Sequence, residues 1–89
     1  MGYDRKYGKV TTEHGGIPDD EPVIVFRARD AILPGLLEDY LRKCEQAGSP
    51  ARHLDLIRGT QDQVLAWQEK NPEKVRTPDS ERSRAWMSE

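Results

Sequence analysis

Cysteine is nearly missing: Cys44 stands alone among 89 residues. One thiol cannot close an internal disulfide, which excludes a disulfide-stapled scaffold. Histidine is scarce too, and His14 and His53 are far apart with no second thiol, so a Cys/His zinc site has too few ligands. No apolar run approaches the roughly 20 residues that a membrane-spanning helix needs. The opening residues, MGYDRKYGKV, hold no apolar stretch of the kind a secretory leader carries, and those after Gly2 lack the Ser/Thr of a myristoylation signal. There is no surplus of positive charge either: 14 Lys and Arg face 16 Asp and Glu, for a net charge of -2. That excludes a whole-chain nucleic-acid footprint but not a local basic patch. The expectation is a soluble, cytoplasmic chain of one domain with no membrane partner.

What is present is polar but patterned. Hydrophobic residues make up 35% and charged residues 34%, and the apolar ones recur periodically, which argues for folding rather than disorder. The most apolar stretch is EPVIVFRARD, 21–30, where Val23, Ile24, Val25 and Phe26 follow one another without a polar residue. A run of that kind reads as a strand and raises the question of what covers its two faces. Upstream, KVTTEH (9–14) is β-prone and GGIPDDEP (15–22) is dense in turn formers. Together they predict a β-hairpin that pairs 9–14 with 23–28 across a wide acidic connection. Residues 1–8 read as a polar lead-in that Gly2 and Gly8 loosen.

Two helices should follow. Asp30 has the chemistry of an N-cap, and Leu33, Leu36, Leu37, Tyr40, Leu41 and Cys44 then fall on one stripe. Gly48 closes this helix, and Ser49 and Pro50 suit the cap and first residue of a second one. The second helix should run to about Lys70, where Asn71-Pro72 stops it. Its apolar positions (Leu54, Leu56, Ile57, Val64, Leu65, Trp67) cover about half the circumference. Gly59 in its middle implies either a close neighbour or a weak point. The short break forces the helices antiparallel. The fold class expected is α+β: an N-terminal β-hairpin packed on an antiparallel two-helix hairpin, a ββαα domain over 1–70. Residues 71–89 would form a flexible tail or short helix. A two-stranded hairpin is marginal and leaves open edges. Either a homodimer or a folded-back C-terminal segment, with Trp86 capping the open face, would remedy that.

Catalytic signals are missing. Cys44 lies on the core stripe, His14 ends a strand, and His53 sits at a helix edge. The acids Asp19, Asp20 and Glu21 lack EF-hand spacing, and HGGIPDDEP lacks the lysine of a phosphate loop. No enzyme activity, cofactor or metal is expected. Protein recognition is the leading reading, through the strand edge, the second helix and the tail: Val23, Val25, Phe26, Trp67, Trp86 and Met87. The alternative is a small nucleic-acid-binding regulator using Arg5, Lys6, Lys9, Arg27 and Arg29, which a hairpin would draw into one basic patch. A helix-turn-helix mode is disfavoured because Asp55 and Asp62 would face the phosphates. A structural or assembly role is a third reading.

The order of parts carries a resemblance. GKVTTE is followed by an IPDDEPV turn, FRARD, an AGSP break between helices, and WQEKNP before a TPD tail. From about Tyr7 to Asp79 the chain resembles a type of small protein encoded by bacteriophages of actinobacteria. The resemblance brings no activity and no catalytic residues. It implies work in a bacterial host's cytoplasm, with a host or phage protein as partner, as a phage accessory or host-modulating factor.

Overall fold

The computed structural model describes residues 1–78. Helix α1 (Leu33–Ala47) and helix α2 (Ala51–Lys70) pack against each other as an antiparallel hairpin. Between them Leu41, Cys44 and Ile57 form the buried core, with Leu54 packed beside it. Gln61 ties the helices at their other end, donating from Nε2 to Glu38 Oε2 (3.2 Å) and to the Pro34 carbonyl (3.4 Å). The apolar stripes are wider than the contact they make: Leu36 and Tyr40 on α1, and Leu56 and Leu65 on α2, remain exposed.

The helix ends differ from expectation by one or two residues, for physical reasons. With Asp30 as N-cap, Pro34 would occupy the first position whose N–H bonds within the helix. The helix starts instead at Leu33, so Pro34 falls in the first turn, where its missing N–H costs nothing. Asp30 serves from outside: its carboxylate accepts from Ile32 N–H (2.8 Å) and its carbonyl from Leu33 N–H (3.1 Å). At the far end Gly48 adopts a left-handed conformation (φ 82°), and Ser49 N–H reaches back to the Cys44 carbonyl at 2.9 Å. Ser49 thus belongs to the close of α1. The N-cap of α2 passes to the extended Pro50, whose carbonyl accepts from His53 and Leu54.

Gly59 has no close neighbour, since a methyl group built there meets nothing within 4 Å. It is the weak point of α2. Gly59→Ala should therefore raise stability by about 1 kcal/mol. The check is a higher urea midpoint with an unchanged denaturant slope.

The N-terminal hairpin exists, but its strands are not those expected. Strand β1 (Gly2–Asp4) pairs antiparallel with β2 (Gly8–Val10), in the register Gly2↔Val10 and Asp4↔Gly8. Arg5–Tyr7 form a three-residue loop that ends on Gly8 at φ 88°, the left-handed position such loops require. Asp4 closes the loop, its Oδ1 accepting from the N–H groups of Lys6 (2.7 Å) and Tyr7 (2.8 Å). Residues 11–21 form turns and irregular chain, so the KVTTEH segment is strand only as far as Val10.

The apolar run at 23–26 is extended chain rather than a ladder strand. It touches β1 through one parallel bridge, Tyr3↔Pro22, with Val23 N–H donating to the Tyr3 carbonyl at 3.1 Å. Beyond that point β1 ends, and the Asp4 carboxylate replaces the missing ladder acceptor by taking Val25 N–H at 2.6 Å. Val23 packs against Gly2, where an added Cβ would lie 2.6 Å from a Val23 methyl. Val23 and Val25 are thus half-buried against the hairpin, while Ile24 and Phe26 point the other way and are exposed.

The chain from 22 to 30 bridges the hairpin and the helices, whose backbones do not approach each other directly. Gln68 of α2 holds this bridge, donating from Nε2 to the carbonyls of Ala28 (2.8 Å) and Asp30 (3.0 Å). After α2 the chain makes one 3-10 turn (Pro72–Lys74) and returns to the same bridge. Arg76 N–H donates to Arg29 O (2.9 Å), and Ala31 N–H donates to Arg76 O (2.8 Å). The short helix expected after Thr77-Pro78 lies outside the described residues.

Candidate protein-interaction site

The geometry of the 22–30 bridge creates a groove. Because β1 covers only the Val23/Val25 side, the alternate side chains Ile24 and Phe26 are left to face away from the hairpin. The N-cap residue of α1, Ile32, and Leu36 in its first turn add two more, four residues apart and so on one face. Tyr3, opposite in phase to the buried Gly2 and Asp4, adds an aromatic ring. These side chains line a groove of about 610 Å³. Ile24 is 71% exposed and Ile32 58% exposed, although both are large aliphatic residues. Contiguous apolar exposure of this kind marks contact surfaces in soluble domains.

The lip is basic. Arg5 and Lys6 come from the hairpin loop, Arg27 and Arg29 from the bridge, and Arg76 from the chain after α2. The two acids that line the groove, Asp4 and Asp30, are engaged by backbone N–H groups. Asp4 is 3% exposed, and its carboxyl is held below the ordinary carboxylate range. The Tyr7 N–H is the main cause; desolvation opposes it, and the Val25 and Lys6 N–H groups and the Lys6 charge add to it. Arg76 also carries a buried Nε without a hydrogen-bond partner, a donor with an unmet demand.

A second hollow of about 470 Å³ lies beside the first, between α1 and α2, and Phe26 borders both. Leu33, Leu37, Val64 and Trp67 line it. The Arg29 guanidinium lies 5.9 Å from the Trp67 ring centroid, linking the groove's lip to this recess.

Of the residues singled out from sequence, Val23, Val25 and Phe26 line the groove and Trp67 the adjoining hollow. Trp86 and Met87 lie outside the described residues. Arg5, Lys6, Arg27 and Arg29 come together at the lip, whereas Lys9, facing Tyr3 across the hairpin, does not join them. Ile24, Ile32, Leu36, Tyr3 and Arg76 were not singled out as site residues. The i, i+4 pair Ile32 and Leu36 was a usable signal for a second apolar face on α1. Neither His14, His53 nor Cys44 lines the groove. His53 packs edge-on to Tyr40 at 6.2 Å, and the Tyr40 hydroxyl is pushed up in pKa, chiefly by its hydrogen bond with Cys44. No family model, curated protein or solved structure matches this chain.

Proposed function

We propose that the chain is a non-catalytic protein-interaction module whose groove takes an acidic, amphipathic segment of a host or phage protein. The observation that carries this reading is the exposed aliphatic floor, with Ile24 71% exposed, beneath a lip of five basic side chains. An apolar floor rewards burial of aliphatic or aromatic anchors. A basic lip steers acidic partners and fixes their register. Single-stranded nucleic acid is a second reading, favoured by the nearness of Tyr3, Tyr7 and Phe26 to the same bases. Its weakness is the aliphatic centre, which offers neither a stacking platform nor hydrogen bonds.

One experiment separates them. Immobilised full-length chain captures partners from host lysate, with and without nuclease, beside Ile24→Asp and Arg27→Glu variants. The protein reading expects a stoichiometric partner that survives nuclease and is lost at least tenfold with Ile24→Asp, whose thermal midpoint stays near the parent's. Recovery that vanishes with nuclease, and with Arg27→Glu rather than Ile24→Asp, would replace it with the nucleic-acid reading.

A further inference from the structure

We infer that the outer edge of the 22–26 chain pairs with the same edge of a second copy, antiparallel about a two-fold axis at Val25. This goes beyond the partner reading: the junction uses the backbone edge, while the partner uses the face. Pairing puts Ile24 and Phe26 of both copies on one face, so the dimer enlarges the apolar floor offered to a partner.

Three observations carry the inference. The first is an open edge. Successive residues of an extended chain turn their N–H and C=O groups to opposite edges. Val23 N–H donates to the Tyr3 carbonyl (3.1 Å) and Val25 N–H to Asp4 Oδ2 (2.6 Å), so the backbone groups of Ile24 and Phe26 face away from β1. Among the described residues, nothing hydrogen-bonds to them. An edge of this kind accepts another strand.

The second is that the segment complements itself. The exposed acids Asp20 and Glu21 precede the apolar run, and Arg27 and Arg29 follow it. Antiparallel pairing lays each copy's acids beside the other's arginines, whereas parallel pairing sets like charges together. The third is register. Facing Ile24 with Phe26 of the second copy engages both residues, and each such pair exchanges two hydrogen bonds, about four in all. Facing Ile24 with Ile24 instead sets Phe26 opposite Pro22, which has no N–H to give. Facing Phe26 with Phe26 sets Ile24 opposite Ala28, whose carbonyl already accepts from Gln68 at 2.8 Å. The first register alone engages both residues fully.

Sedimentation equilibrium of the purified full-length chain should show a monomer–dimer equilibrium in the micromolar range. Ile24→Pro removes one outward N–H that has no partner among the described residues. It should raise the dissociation constant at least tenfold while the helical circular dichroism is retained. Cross-linking with a mild added oxidant, in a Cys44→Ala background, tests the register. Val25→Cys sets two thiols face to face on the axis, with Cβ atoms about 4.5–5.5 Å apart, and should give a disulfide dimer. Ile24→Cys, more exposed but off the axis, should cross-link at least tenfold more slowly. A chain that stays monomeric throughout the micromolar range overturns the inference. So does a dimer that a folded Ile24→Pro variant leaves intact, or faster cross-linking of Ile24→Cys, the order that exposure alone would give. If Ile24→Pro does not fold, the cross-linking order decides. No partner or lysate enters these measurements, so this inference and the partner reading fail separately.

Discussion

Asp4→Asn is expected to lower the thermal midpoint by roughly 5–10 °C and to loosen the hairpin from the 22–26 chain. The reason lies in how the carboxylate is used. One oxygen accepts from Lys6 and Tyr7 N–H, and the other from Val25 N–H, so both must be acceptors. Asparagine keeps only one. Whichever way its amide turns, an NH₂ group faces a backbone N–H at hydrogen-bonding distance, and a buried donor loses its partner. The same arrangement sets an acid limb. The folded-state pKa of Asp4 is depressed, principally by the Tyr7 N–H, so the unfolded chain takes up this proton at higher pH than the folded chain. Its contribution is full above the unfolded value of about 3.9 and drains away as pH falls through the lower folded value. Urea midpoints of parent and variant should therefore differ clearly at pH 7 and converge as pH drops below about 4. A gap that stays constant down to pH 2.5 would deny Asp4 this role.

The helices were legible because their signals are local. Apolar spacing, Gly48 and Asn71-Pro72 each act within a turn or two, and all three mark real boundaries. The hairpin was legible as an element but not in its pairing. Val10-Thr11-Thr12 drew attention through β propensity, which is a weak guide to partners. The decisive feature was Asp4 set four residues before Gly8, a carboxylate that closes a turn and a glycine that accepts positive φ. It was hidden among the charges of Arg5 and Lys6. The four apolar residues at 23–26 have no alternation of their own, so their sequence is silent on which face is covered. Gly2 decides it, because only a residue without a side chain lets Val23 come so close to β1. The basic lip was half legible: hairpin ends gather Arg5 and Lys6 with Arg27 and Arg29, but the return of Arg76 depends on chain packing after α2.

Ile57→Ala should remove a large share of the protein's stability, about 2–4 kcal/mol. Ile57 is 7% exposed and lies between Leu41 and Cys44 at the centre of the helix contact. Buried apolar residues are few here: Leu33, Leu41, Cys44, Ile57 and Val64 among the described ones. A domain of this size holds on the order of 5–10 kcal/mol in all, and so few core side chains leave little to share the loss. The urea midpoint should fall by a third or more, with a measurable unfolded fraction on warming toward 37 °C. Ile24→Ala removes the same atoms from the same residue type, yet should change stability by less than about 0.5 kcal/mol, because Ile24 is 71% exposed. Equal midpoint losses in the two variants would mean that the groove floor is part of the core. Unequal losses in the expected sense would separate the chain's apolar residues into two populations. One holds α1 on α2. The other, Ile24 among it, is displayed on a bridge that the Asp4 and Gln68 hydrogen bonds hold in place, so these exposed side chains can change without unfolding the protein.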